Sequence, residues 1–372
     1  MKLQEFYVET WMTEHENDCI YNLTDTCVNC MSLKQLEDLC HIDIHHELMN
    51  IRLDYGPIVG SKRLKKAILT LYKNGSLENL TMTTGTINAN ELILMTLLEA
   101  GDHVVTLSPT YQQLYSFPKS LGCHVDFVEI SEESHWIPRI EDFKKVITEK
   151  TKLIFLNSPN NPTGTFIDKD LMLEIIDLAD KYHCYILCDE VYRGTRNGKL
   201  TYSVSDLYDK AIVTGSLSKM FSFAGLRLGW IKGPKEIIDL INIRRDYHII
   251  SNGPIDDYLA SLVLENKEII LKRSEAIIKE NKNYLQEWLS NEKHLSCIIP
   301  EYGTVGFLHY DLSIKSTELA EKLQKETGVF FVPGSCFDRE GYLRFGFGNH
   351  PEMVKQGLEI FSKWLKQFDE VA

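Results

Sequence analysis

The sequence predicts an α/β protein: a three-layer α/β/α large domain with a mainly parallel sheet, plus a small α+β domain. Three observations carry this prediction. From about residue 50 to about 240, short apolar runs alternate with helical patterns, the order that builds a parallel sheet covered on both faces. The run Lys152–Leu156 is apolar after its first residue, as in a strand buried on both sides. Beyond about residue 240 the pattern changes to long helical stretches followed by a few strands. The boundaries read as 46–245 for the large domain, and 1–45 with 245–372 for the small one, built from both termini.

Size and charge limit the function classes. A chain of 372 residues has room for one large and one smaller domain. A net charge of −13 argues against a nucleic-acid binder. No apolar run reaches the ~18–20 residues of a membrane span. The start, Met1 to Phe6, lacks the apolar stretch of a signal peptide, so a cytoplasmic protein is expected. Nine cysteines, an odd number scattered over a long chain, suit reduced thiols rather than a disulfide framework. Cys27 and Cys30 form a C-x-x-C with Cys40, His41, His45 and His46 nearby. There is no second pair at finger spacing, and His45 and His46 are adjacent, so no metal is expected.

Taken in order, residues 1–16 read as a helix with Phe6, Trp11 and Met12 apolar, and 17–31 as irregular. Residues 32–47 read as a helix capped by Ser32, with Leu33, Leu36 and Leu39 on one face. Asp54 to Gly60 is a turn-rich loop, followed by a helix over Lys62–Tyr72. Leu80 to Thr86 is a strand entering a glycine turn, with a helix over Asn88–Glu99. Free N–H groups at such a helix start attract an anion, so Thr84, Gly85 and Thr86 are candidates for cradling a phosphate. The strand His103–Leu107 leads to Tyr111, an aromatic well placed to stack on a flat ring. A strand over Cys123–Ile130 and a helix around Ile140–Glu149 follow.

Lys152–Leu156 runs into Asn161-Pro162-Thr163-Gly164. A helix over Asp168–Tyr182 precedes the strand Tyr185–Cys188, which ends in Asp189-Glu190-Val191-Tyr192. A carboxylate at the end of an apolar strand is costly to bury without a cationic partner, which marks Asp189. Lys210–Ser216 is the next strand. It delivers Ser216-Leu217-Ser218-Lys219, and Gly225, Arg227, Gly229 and Trp230 follow. A lysine in this apolar, glycine-rich setting must be paired or neutralised. A Schiff base with an aldehyde cofactor neutralises it, and Ser216 with Arg227 suits a phosphate. Residues 254–292 read as helical, Gly306–Tyr310 and Val329–Val332 as strands, and Pro351–Phe368 as the last helix. Arg344, in the apolar strand Gly341 to Gly348, needs an anionic partner. Thr84–Thr86, Tyr111, Asn161, Asp189 and Ser216–Lys219 all fall at predicted strand ends, where ligands of such sheets bind.

From about Leu53 to Gly348, these ordered motifs resemble the fold-type-I pyridoxal-phosphate (PLP) enzymes, in particular class I/II aminotransferases. The resemblance implies PLP as cofactor, joined to Lys219 as a Schiff base. It implies that Asp189 holds the pyridine nitrogen protonated, that Tyr111 lies over the ring, and that Asn161 and Tyr192 reach the phenolic oxygen. Gly85, Thr86, Ser216, Ser218 and Arg227 match the phosphate-binding positions, and Arg344 the position that pairs with the substrate α-carboxylate, near Asn161. It further implies a homodimer in which Tyr55 reaches the partner subunit's cofactor, with an amino acid and a 2-oxo acid as substrates.

The chain departs from the family near its N-terminus. Asn22 to Val28 lacks the glycine that many members carry in a substrate-contacting loop, which leaves lyase, decarboxylase, cyclising or oxidising chemistry as the alternative to transamination. A non-catalytic PLP-binding sensor would come with a basic DNA-binding domain, for which this acidic chain has no room. A dead scaffold would lack Lys219 or Asp189, and both are present. The first 25 residues carry Glu9, Glu14, Glu16, Asp18 and Asp25, which predicts a substrate with a cationic tail, such as arginine, ornithine or lysine.

Overall fold

The computed structural model describes residues 2–369. Seven strands form the central sheet: β1 (Leu80–Thr83), β2 (His103–Ser108), β3 (His124–Glu129), β4 (Thr151–Asn157), β5 (Tyr185–Asp189), β6 (Ala211–Ser216) and β7 (Gly229–Lys232). They lie side by side in the order β1-β7-β6-β5-β4-β2-β3. β7 runs antiparallel to both β1 and β6, and the remaining neighbours are parallel. Alternate residues of a strand point to opposite faces. Ile154 and Leu156 accordingly enter one apolar cluster, and Leu153 and Phe155 another. A strand buried on both sides reads as one continuous apolar run, which is why β4, β5 and β6 are legible in the sequence.

A second, antiparallel sheet holds β8 (Leu295–Cys297), β9 (Val305–Tyr310), β10 (Val332–Pro333) and β11 (Tyr342–Gly346), in the order β8-β9-β11-β10. The helices Lys267–Leu289 and Ser316–Thr327 pack against it, and Pro351–Asp369 packs on those two helices and on the strands Tyr21–Asn22 and Val329–Phe330. Helix α1 (Tyr7–His15) is tied to both parts of the molecule. Its Tyr7 N–H donates to Gln112 Oε1 at 2.9 Å, and its Trp11 indole N–H donates to the Phe331 carbonyl at 2.9 Å.

Several elements differ from the sequence reading. Residues 32–47 form two helices, Leu33–Cys40 and His45–Asn50, because His41 takes a left-handed conformation (φ 54°) and Asp43 accepts the His45 N–H at 3.0 Å in an Asx turn. Ser32 does cap the first of them. Within 17–31, Tyr21–Asn22 pairs in parallel with Val329–Phe330. That pairing takes the first half of Val329–Val332 away from the second sheet, which receives Val332–Pro333. Residues 254–292 are two helices, Pro254–Glu265 and Lys267–Leu289, meeting at Asn266. The helix Gln113–Ser120 carries Pro118 in its interior, a residue that disfavours a helical reading. β7 and the helix Lys235–Arg245 are also absent from the sequence reading. Helix α2 spans Gly85–Leu97, beginning at the glycine turn itself rather than at Asn88.

Candidate active site

Strand register sets the floor of the site. Asn157, Asp189 and Thr214 stand level on β4, β5 and β6, while Ser216, Gly229 and Thr83 stand level on β6, β7 and β1. β7 crosses the start of α2 so closely that a Cβ on Gly229 would come 2.6 Å from the Gly85 carbonyl carbon. Above this edge lies a cavity of about 360 Å³.

Asp189 is buried on the floor, where burial pushes its pKa above the usual carboxylate value. Asn90 Nδ2 donates to its Oδ2 at 2.8 Å and the Val191 N–H to its Oδ1 at 3.0 Å, and both oppose that rise. Asn90 in turn accepts from the Thr214 hydroxyl at 3.0 Å. Sequence reasoning missed Asn90. Its signal is an amide on the most apolar side of α2, between Ala89 and Leu92, where a buried polar group requires a partner. The Asn157 amide donates to the Asp189 carbonyl at 2.9 Å and accepts the Asn161 N–H at 2.8 Å, which locks the ends of β4 and β5 together. Asn161 is also buried, and its Oδ1 has no partner among the described residues.

Lys219 projects from the turn after β6, half-buried, and its Nζ donates to Thr26 Oγ1 at 2.5 Å and to Cys27 Sγ at 3.7 Å. Burial opposes its charge, but the balance of neighbouring groups holds its pKa above the ordinary lysine value. Burial raises the pKa of the nearby Tyr192 phenol, and the neighbouring Cys30 together with burial raises that of the Cys27 thiol. The Tyr192 ring lies 5.9 Å from Nζ.

At another end of the cavity stand Gly85 and Thr86 of α2, Ser218, and Arg227, which is itself in the left-handed region (φ 48°). A Cβ added to Gly85 would stand 3.0 Å from Arg227 Nη2, so the glycine leaves the guanidinium room at the helix N-terminus. Tyr111 lines the cavity opposite and donates its hydroxyl to Glu9 Oε1 at 2.6 Å. Arg344 is buried. Its Nε donates to Thr24 Oγ1 at 3.1 Å and an Nη to the Thr24 carbonyl at 3.3 Å, and it makes no ion pair with a carboxylate among the described residues. The anion this guanidinium requires is therefore not supplied by a protein salt bridge.

The segment from Leu23 to Asn29, which corresponds to the substrate-contacting loop of the family but lacks its glycine, lies against the site. Val28 N–H donates to the Lys219 carbonyl at 3.1 Å, Asn29 N–H to that of Gly348 at 2.7 Å, and Gly346 N–H to that of Leu23 at 2.8 Å. The chains touch so closely that a Cβ on Gly346 would collide with the Asp25 carbonyl, and one on Gly348 with that of Cys27. The neighbouring Cys30 and burial push the Cys27 thiol up, while the neighbouring Cys27 pulls Cys30 down. No group of three metal-ligating side chains converges among the described residues.

Two sequence-predicted residues stand apart. Ser216 does not line the cavity. It is buried at the end of β6, and its hydroxyl accepts the Ser218 N–H at 3.2 Å, shaping the turn that presents Ser218 and Lys219. Tyr55 is exposed in its loop and lies outside the cavity of its own chain. Of the acidic N-terminal residues, Glu9, Glu16 and Asp25 line the cavity, whereas Glu14 and Asp18 do not.

A three-layer sheet with a lysine and a buried aspartate at one edge defines a PLP-dependent enzyme of fold type I. Residues 21–361 match the model of the family described as aminotransferase class I and II, and the chain belongs to that family. It is 38% identical to a PLP-dependent aminotransferase from Streptococcus suis, with a TM-score of 0.96 over 99% of each chain. It is 26% identical to the capreomycidine synthase of Streptomyces vinaceus over 86% of this chain and 82% of that protein. It is likewise 26% identical to an aspartate aminotransferase of Pyrococcus horikoshii, over 84% and 83%. A PLP-dependent cyclase, OrfR, shares the fold at a TM-score of 0.90 and 22% identity, over 99% and 98% of the two chains. The protein is thus an enzyme of the PLP-dependent aminotransferase type, and its cofactor is pyridoxal 5'-phosphate. The residues present fit that group: a buried carboxylate for a cationic ring nitrogen, an unpartnered amide on Asn161, and a helix N-terminus beside Arg227 for a phosphate.

Proposed function

We propose that the protein transfers an amino group between an amino acid and a 2-oxo acid. The observation that supports this best is the convergence on one cavity of Lys219, Asp189, Asn161 and Arg344. Bound PLP supplies a ring that accepts electrons from the substrate α-carbon. In this reading Lys219 carries the cofactor through its Nζ. Freed from it, the same amine would stand where it can take up and return the proton of the substrate α-carbon. Asp189 keeps a proton on the ring nitrogen, and the Asn90 amide and Val191 N–H hold its carboxylate in place. Asn161 and Tyr192 would hold the phenolic oxygen, and Tyr111 would face the ring. Gly85, Thr86, Ser218 and Arg227 take the phosphate, and Arg344 takes the α-carboxylate of the substrate.

The domain division at 46–245 and the cytoplasmic location belong to the same proposal. So does a homodimer in which the exposed Tyr55 reaches the partner subunit's cofactor. A second reading, cyclising chemistry on an amino acid, draws support from the likeness to capreomycidine synthase and to OrfR. The test is a screen of holoenzyme with single amino acids, following cofactor absorbance and product. Keto acid in amounts matching the conversion of cofactor to its amino form is expected. A ring-closed product, ammonia or carbon dioxide without keto acid overturns transamination in favour of the alternative.

A further inference from the structure

We infer that the substrate is an α-amino acid whose side chain ends in a cation, received by the carboxylates of Glu9, Glu16 and Asp25. The inference rests on the reading that Lys219, Asp189 and Arg227 serve the cofactor and Arg344 the α-carboxylate. Those assignments use every cation that lines the cavity: Lys219, Arg227 and Arg344. None of the three carboxylates forms an ion pair within 4 Å among the described residues; Asp25 acts on Lys219, and Arg344 on Glu16, only at longer range. The Asn161 amide, nine-tenths buried and unpartnered at its Oδ1, marks the same cavity as one that a ligand completes.

The protein positions these carboxylates with neutral donors. Glu9 Oε1 accepts the Tyr111 hydroxyl at 2.6 Å, and Glu16 Oε1 accepts the Asn22 amide at 3.2 Å. Asp25 Oδ1 accepts the Cys27 N–H at 2.8 Å. In each, one oxygen is held and no second donor to the other is found among the described residues. Partial burial, and then Asp25, push the Glu16 carboxyl above its usual range, with Glu9 adding to the rise and Arg344 opposing it. A guanidinium or ammonium between these groups relieves their repulsion and forms charge-assisted hydrogen bonds. Glu9 and Glu16 approach from the helical segment at the N-terminus and Asp25 from the irregular segment whose Thr26 accepts from Lys219, so the cation sits across the mouth. An apolar side chain placed there would strip water from carboxylates and return no bond.

The test uses holoenzyme and two carboxylates that lack the α-amine and cannot react, 5-guanidinopentanoate and hexanoate. Calorimetry is expected to show the guanidino acid binding about 10-fold or more tightly. Glu9→Gln, Glu16→Gln and Asp25→Asn keep the neutral hydrogen bonds, and at least two of them are expected to narrow that gap about 10-fold. Arginine, ornithine and norleucine are then compared as amino donors, which separates guanidinium from ammonium. Equal binding of the two acids, or a gap untouched by all three substitutions, overturns the inference. A cationic preference in binding with no keto acid from any donor leaves the inference standing and removes transamination. Keto acid formed fastest from norleucine does the reverse.

Discussion

The floor and the mouth of the cavity are built on different principles. On the floor, Asp189, Asn157 and Asn90 are buried and tied to one another by hydrogen bonds between 2.8 and 2.9 Å, all held by strand ends and α2. At the mouth, Glu9 and Glu16 are exposed, sit on or just after a short helix, and face Arg344 and Asp25 across open space. A group locked on all sides cannot adapt to different substrates, and a group reached by solvent is held less firmly in one charge state. The floor therefore suits the invariant part of the chemistry, and the mouth suits discrimination among side chains.

Mutations should divide along the same line. On the proposed reading, Lys219→Ala removes both the attachment point and the proton carrier. Turnover is expected to fall by roughly 10⁴-fold, the upper range for general acid–base catalysis, and borohydride reduction of holoenzyme should label Lys219 in wild type alone. A label on Lys152 or Lys232 would break the assignment of the floor. Asp189→Asn is expected to retain cofactor and lose about 10²-fold or more in kcat, since an amide does not stabilise a protonated ring nitrogen. Near-normal turnover in that variant would place the electron-sink function elsewhere.

Arg344 belongs to the mouth by its target and to the interior by its burial. Arg344→Gln is expected to raise KM for the amino donor by about 10- to 100-fold with a smaller effect on kcat, as for a group that holds substrate in ground and transition states alike. A fall in kcat with unchanged KM would move it to the floor.

The smallest effect concerns stability behind the floor. Glu190 accepts from the Ser203 hydroxyl at 2.9 Å and the Val204 N–H at 2.8 Å, and burial raises its pKa from 4.5 to about 7 against the pull of Arg193. Between those values the folded chain holds a proton that the unfolded chain has lost. This contribution to stability is thus complete below pH 4.5 and disappears as pH rises through 7. Glu190→Gln is expected to flatten that part of the stability–pH curve by roughly 2 kcal/mol, read by denaturant unfolding at pH 5 and pH 7.5. An unchanged slope would mean that the carboxyl is ionised throughout.

Most of the floor was legible in the sequence because its residues follow buried parallel strands, and continuous apolar runs mark where such strands end. Asp189 after Tyr185–Cys188 and Lys219 after Lys210–Ser216 are read in this way. The strand β7 was not, because four residues between glycine and lysine carry no periodicity, and its antiparallel pairing depends on partners about 150 residues apart in sequence for β1 and immediately before it for β6. Ser216 fits a phosphate by composition; in the structure it lies outside the cavity lining, and its hydroxyl accepts the Ser218 N–H at 3.2 Å.

By itself the sequence determined the fold class and the order of strand ends, since burial and alternation are local properties of the chain. Tertiary structure alone decided which acids of the N-terminal segment reach the cavity. Glu14 and Asp18 have the same composition and neighbourhood as Glu9 and Glu16, but only the docking of α1 through Tyr7 and Trp11 turns one pair inward. The same holds for Thr24, Thr26 and Cys27, which lie about 200 to 320 residues from the Lys219 and Arg344 side chains they contact. No local pattern encodes a contact across that distance. It forms because glycines at 346 and 348 let two backbones approach where any side chain would hold them apart.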